Sequence, residues 1–346
     1  MLLSPPEAFI AGESRVGGKA YGLARLAESL PTEVEVPAWV VIGAEASVGH
    51  LGRAGQLEAA FVEMLGDTDP GVLRGFVFGA EIDPELAAAL RSRLESLPGP
   101  WAVRSSMVGE DSAKSSFAGQ LESFLYCRTP SDVLDAVRKC WASAYSAHAM
   151  AYRQRHGLSG LPHVAVVVQQ MVTGQVSGVA FTADPTTGHR QHARITAAWG
   201  LAEGVVNGAC NTDEYVVAHD GDEVEANIVD KDIQVVETPD QSGTTEVEVD
   251  ASKREARCLT TAQLKSIATT CVRIADAFGA PQDIEWTLEG DQLFVLQSRP
   301  ITALPEEQSD EEPVVVFDNS NIQESYCGVT TPLTFSFAQG AYASVY

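Results

Sequence analysis

The chain has 346 residues, with 47 Asp and Glu against 23 Lys and Arg, for a formal net charge of −24. Such a length accommodates two or three domains at roughly 100–200 residues each, and a hydrophobic content of 45% supplies a sizeable core. The acidic balance excludes a general nucleic-acid or anionic-membrane surface, which needs a basic face.

No apolar run reaches the roughly 18 residues a membrane span requires. The opening MLLSPPEAFIAGES lacks the basic start and long apolar core of a secretory signal, so a cytoplasmic protein is expected. The six cysteines (Cys127, Cys140, Cys210, Cys258, Cys271, Cys327) form no CxxC pair. In a chain this long they read as reduced, mostly buried thiols.

Taken in order, Gly18–Leu30 predicts an amphipathic helix with Ala20, Leu23, Leu26, Ala27 and Leu30 on one face. VPAWVVIG (36–43) predicts a strand, and Asp83-Pro84 starts a second helix. WAVRSSMVGEDSAKSSFAGQ (101–120) opens as a strand and continues as a Ser- and Gly-rich loop. Ser131 is expected to cap a long helix reaching about His156, with Gly157 as its stop. VAVVVQQMV (164–172), SGVAFT (177–182) and ARITAAWG (193–200) predict strands, with a turn over 184–188. Residues 220–251 read as an exposed antiparallel excursion. A helix follows from Thr260 or Thr261 to Gly279, then a hairpin over 282–300 and an acidic linker over 303–313. The aromatic stretch beyond the linker reads as the truncated start of a further domain. Strands, helices and antiparallel hairpins together indicate an α+β class.

Four clusters carry possible chemistry. GESRVGGKA (12–20) misses the P-loop pattern, but Gly-Gly-Lys at a helix start still offers N–H groups and a cation to an anion. A plain turn with a solvated lysine fits the same residues. Arg104 at a strand end, followed by SSFAGQ, offers a fixed guanidinium and close backbone approach; a mobile loop with a salt-bridged Arg104 is the plainer alternative. Glu110 and Asp111 in that loop read as solubilising, with a bridge to a metal as the alternative. LAEGVVNG sets Glu203 among glycines, without the dinucleotide fingerprint.

In the hairpin, Asp283, Glu285 and Thr287 share one face of the first strand, and Leu293, Val295, Gln297 and Arg299 share one face of the second. A three-residue loop, Gly290-Asp291-Gln292, sets Glu285 opposite Gln297 and Asp283 opposite Arg299. A two-residue loop sends Gln297 to the wrong side, so register decides the matter. With the longer loop, oxygen ligands suited to Mg²⁺ meet beside an arginine; an exposed polar pair is the alternative.

These words, in this order, resemble the N-terminal nucleotide-binding domain of phosphoenolpyruvate synthases, pyruvate phosphate dikinases and rifampin phosphotransferases. GGKAYGLARL, VPAWVV, AVRSS…SFAGQ, SGVAFTADPTTG, GLAEGVV and DIEWTLEGDQLFVLQSRPIT run from about residue 12 to 302. The resemblance implies an ATP-grasp-like fold, with an N-terminal lobe over 1–190, a C-terminal lobe over 191–302 and a nucleotide cleft between them. It implies ATP and Mg²⁺ as ligands. Lys19, Arg104 and Arg299 would grip phosphates, and the loop bearing Gly119 would cover them. Gln169, Gln170, Met171 and Val172 would frame adenine, Glu203 would contact ribose or position the phosphates, and Glu285 and Gln297 would hold the metal.

Family members pass the β-phosphate to a histidine on a swivelling domain, then to a substrate such as pyruvate. None of His50, His148, His156, His163, His189, His192 or His219 sits in that histidine's motif, so the acceptor and substrate domains are expected as partners outside this chain. A rifampin phosphotransferase domain and a non-catalytic nucleotide-binding module are the alternatives.

Overall fold

Two antiparallel sheets carry the fold. The structure is a computed structural model; it describes residues 1–30, 32, 34–53, 69–109, 111–112, 115–116, 122–155, 160–301 and 304–305. All of these belong to one compact unit running from Met1 to Glu307. The α+β class expected from the element pattern is what the chain forms.

In the first sheet the order is β1 (Leu2–Leu3), β2 (Trp39–Ile42), β7 (Val164–Gln170), β3 (Trp101–Met107), β6 (Ser123–Cys127). Central β7 is apolar along most of its length because both its faces are covered. Ala165 and Val167 join one core with α1 (Pro5–Ala11) and α2 (Glu13–Ser29). Val166 and Val168 join another with α4 (Pro70–Gly79), α5 (Pro84–Glu95) and α6 (Pro130–Ser143). Helix α3 (Glu45–Arg53) and α7 (Ala147–Arg155) complete this side.

The second sheet runs β11 (Glu223–Asn227), β10 (Asp213–Ala218), β9 (His192–Trp199), β8 (Val176–Phe181), β14 (Gln282–Glu289), β15 (Gln292–Pro300). The chain crosses from first sheet to second between Gln170 and Val176, ahead of the lobe boundary expected at 190. Helix α9 (Thr261–Phe278) lays Leu264, Ile267, Cys271 and Ile274 into a core shared with Ile195, Tyr215, Ile284 and Trp286 of this sheet, and with Leu23 and Leu26 of α2. A separate hairpin, β12 (Ile233–Glu237) and β13 (Thr244–Glu248), lies beside short α8 (Ala202–Val206), where Val235 accepts from the Leu201 N–H at 2.9 Å.

Local signals set most boundaries. Asp83 caps α5 through the Glu85 N–H at 2.8 Å. Thr260 caps α9, and Gly279 ends it at φ 68°. The expected cap at Ser131 is displaced: Thr129 caps α6, with Pro130 in the first turn and Asp132 closing a capping box. The helix expected to reach His156 is broken after Ser143 and resumes at Ala147; Gly157 lies outside the described residues. Cys127, Cys140, Cys210, Cys258 and Cys271 are buried free thiols, as expected, while Cys327 lies outside the described residues. Among the described residues, no helix is long and apolar enough to cross a membrane.

A nucleotide-sized cavity lined by both sheets

The helix expected from Gly18 exists, but it is preceded by a further turn and a break. Gly17 sits at φ 75°, ψ 169° inside α2, a conformation essentially restricted to glycine. The break is stitched from β3: Ser106 Oγ accepts from the Ala20 N–H at 3.1 Å and donates to the Val16 carbonyl at 2.8 Å. A side chain some ninety positions away thus acts as the N-terminal cap of the restarted helix. Lys19 lies in its first turn, where the helix dipole and a cation act in the same sense on an anion.

From β3, Arg104 reaches across to the second sheet. Its Nη2 donates to Glu285 Oε2 and to Gln297 Oε1, each at 2.8 Å, and its Nη1 donates to the Leu296 carbonyl at 2.9 Å. Arg299 is held by Asp283, with Nε 2.8 Å and Nη2 2.7 Å from Oδ2. Burial pushes the Asp283 carboxyl up from its usual range, against the pull of Arg299.

The hairpin register that brings these groups together arises differently from expectation. Glu289 pairs with Gln292 across a two-residue turn headed by Gly290 at φ 61°. That turn alone would send Gln297 to the far face. A bulge at Leu296 restores the pairing, so Glu285 faces Gln297 and Asp283 faces Arg299. Leu293 and Val295 consequently do not share the face of Gln297: they pair with Leu288 and Trp286 in the core.

A cavity of about 470 Å³ opens over these residues, within the range of small-ligand sites. Lys19, Arg104 and Arg299 line it together with Glu285 and Gln297, and so do Gln169, Gln170, Met171, Val172 and Glu203. Every residue given a role by the resemblance therefore lines this one cavity except Gly119, which lies outside the described residues. Of its surrounding loop, Asp111–Ser112 and Ser115–Ser116 form a short ladder.

The lining joins the basic Lys19, Arg104 and Arg299 with the apolar Leu125, Met171, Val172, Leu201, Val206 and Leu296. The N–H groups of Gln170 and Met171 are taken by the Ala38 and Pro100 carbonyls at 2.8 and 2.9 Å. What those two residues offer a base is therefore carbonyl oxygen and side chain. Gln169 is 2% exposed and its Nε2 has no hydrogen-bond partner among the described residues, which leaves a donor facing the cavity it lines. Glu203 accepts from Thr244 Oγ1 at 2.5 Å.

Glu285 and Gln297 also fit a metal. Two hard oxygens already converge on one donor atom, Arg104 Nη2. Among the described residues no group of three His, Cys, Asp or Glu could hold a metal ion. Mg²⁺ needs no such group, since it keeps waters and takes one or two protein ligands plus phosphate.

The sequence matches the family described as pyruvate phosphate dikinase, AMP/ATP-binding domain, over residues 13–317. The chain belongs to that family. It is 40% identical over 220 residues to a phosphoenolpyruvate synthase of Pyrococcus furiosus, covering 61% of this chain and 27% of the relative. It is 41% identical over 220 residues to a rifampicin phosphotransferase of Streptomyces sviceus, covering 62% and 25% respectively. It is 33% identical over 339 residues to a prodigiosin synthesizing transferase, PigC, of Serratia marcescens, covering 94% and 37%. The chain thus spans well under half the length of these curated relatives.

Sequence reasoning passed over Ser106, Thr244 and Leu296. No local signal marks them, because each acts on a residue far away in the chain. Asp283 appeared only as a register partner, yet it is the group that holds Arg299.

Proposed function

We propose that this chain is the ATP-binding, phosphate-activating domain of a phosphoenolpyruvate synthase-like dikinase. It takes ATP in an ATP-grasp manner between two lobes, and passes the β-phosphate to a histidine on a swivelling domain outside this chain. One observation carries the reading. Side chains from Lys19 to Arg299 line one cavity, three cations together with apolar residues and a buried Gln169 amide that has no partner among the described residues.

In this reading Lys19, Arg104 and Arg299 neutralise the phosphates, and the restarted turn of α2 adds backbone N–H groups. Phosphoryl transfer asks mainly for positioning and charge neutralisation, so no protein nucleophile is needed here. Gln169 donates to a ring nitrogen of the base, the apolar wall takes its faces, and Glu203, oriented by Thr244, meets the ribose. Glu285 and Gln297 would hold Mg²⁺, which would supply charge neutralisation at the phosphates. Asp283 keeps Arg299 aimed.

A second reading differs in the final acceptor. Identity to the Streptomyces sviceus rifampicin phosphotransferase equals that to the Pyrococcus synthase within a point, which supports a drug-phosphorylating parent as much as a pyruvate-phosphorylating one. The experiment adds ATP labelled at the β-phosphate and a swivelling domain of the family in trans. Label on its histidine supports the transfer function. Tight ATP binding without transfer turns the reading into a nucleotide-binding module, and the absence of ATP binding sinks both.

A further inference from the structure

We infer that Arg104 is a built-in rival of the metal ion for Glu285 and Gln297, so that metal and nucleotide bind this cavity with positive coupling. The inference rests on the Mg²⁺–ATP reading of the cavity and adds a linkage between its two ligands.

A single nitrogen, Arg104 Nη2, stands 2.8 Å from both Glu285 Oε2 and Gln297 Oε1. A magnesium ion held by Glu285 and Gln297 would draw on the same oxygens. Two cations would then share one pair of acceptors, so they compete. The pair is also shielded: the Arg104 and Glu285 side chains are 13% and 16% exposed. Water therefore does little to loosen this charge-assisted contact.

A displaced Arg104 needs another anion, and two carboxylates near it among the described residues are engaged. Glu203, which also lines the cavity, is bonded to Thr244, and Asp283, one pleat along β14, is held by Arg299. A polyphosphate supplies the missing partner. As phosphate draws the guanidinium away, Glu285 and Gln297 are released to the metal. By reciprocity the metal then strengthens nucleotide binding by the same factor. Arg299 takes no part in this exchange, because its carboxylate partner lies off the metal pair.

The test is a Mn²⁺ titration without nucleotide, followed by electron paramagnetic resonance, on the wild-type chain, Arg104→Ala and Arg104→Ala/Glu285→Gln. Removing the rival should tighten Mn²⁺ binding about tenfold or more, the factor carried by one charge-assisted contact. The double variant should lose the gain. Arg104→Gln, which keeps a donor for the Leu296 carbonyl, guards against a folding defect and carries the same expectation. Unchanged or weaker Mn²⁺ binding in the Arg104 variants overturns the inference, as does a gain that survives Glu285→Gln. The underlying reading is checked apart from this, by calorimetric ATP titration at fixed Mg²⁺ on wild type and Glu285→Gln. If ATP binding is normal and its metal requirement unmoved by Glu285→Gln, the metal assignment falls, and the proposed rivalry with it.

Discussion

Gly17 passes so close to Ser106 that a Cβ at position 17 would lie 2.2 Å from the Ser106 carbonyl oxygen. The break in α2, and hence the placement of Lys19, depends on this approach. Gly17→Ala faces the clash and a positive φ together. The backbone conformation alone costs about 1–3 kcal/mol. We expect a lower midpoint in urea and weaker ATP binding by calorimetry; a variant matching wild type in both would detach Lys19 from this device.

Deleting Leu296 removes the bulge and leaves the two-residue turn to set the register. Pairing then runs regularly from that turn, so Gln297 stays opposite Glu285 and Arg299 opposite Asp283, and what is lost is the Leu296 carbonyl that accepts from Arg104 Nη1. One charge-assisted hydrogen bond on Arg104 goes, at roughly 1.5–3 kcal/mol, so the urea midpoint should fall while ATP affinity stays within about tenfold of wild type. Far-UV circular dichroism establishes that the sheet survives. A hundredfold loss of ATP affinity would mean that the bulge itself, and not the cross-strand pairing, aims Gln297 and Arg299.

Lys231 and Asp213 form an ion pair 2.5 Å apart with both side chains fully buried. Asp213 also accepts from the Val229 and Cys258 N–H groups and from the Tyr215 hydroxyl. Lys231→Met leaves that carboxylate buried without its cation, a change costing about 3–5 kcal/mol. Chemical denaturation reads the loss directly. A loss below about 1 kcal/mol would show that the hydrogen bonds alone satisfy Asp213.

Asp184 predicts a pH dependence. Burial by itself raises its carboxyl, but the Thr186 and Thr187 N–H groups and Arg194 outweigh burial and hold it below the usual range. A depressed folded-state value stabilises the fold at pH above the unfolded value, near 3.9, and the benefit fades as pH falls through the folded value. The stability gap between wild type and Asp184→Asn should therefore be full at neutral pH and close below about pH 4. A gap that persists unchanged to pH 2 would assign it to shape rather than charge.

What the sequence makes legible is whatever is settled by neighbours in the chain. The Asp83-Pro84 start, the Thr260 cap and the Gly279 stop are local hydrogen-bond and φ requirements, and each stands as read. The site residues were reachable because their wording resembles a known family. Three details escaped for one reason. The Gly17 break is closed by Ser106, the Leu296 bulge is met by Arg104, and Glu203 is oriented by Thr244. Each contact joins residues between 41 and 192 positions apart, beyond any periodicity argument. The misplaced cap at Thr129 is a smaller matter: Pro130 favours the first helical turn, so the cap precedes it.

The hairpin of β12 and β13 joins Leu201 and Glu203 on one side through Val235 and Thr244. On the other it meets the end of β6 and the start of α6. Arg128 bonds Glu237 and the Thr238 and Gln241 carbonyls, the Gly243 N–H meets the Leu125 carbonyl, and Ser242 meets Asp132. Prising the mouth apart while keeping both ladders whole must snap either these links or those to Leu201 and Glu203. The outer group is made of polar contacts that water can replace, so the hairpin is a hasp whose Arg128 side is the easier to undo.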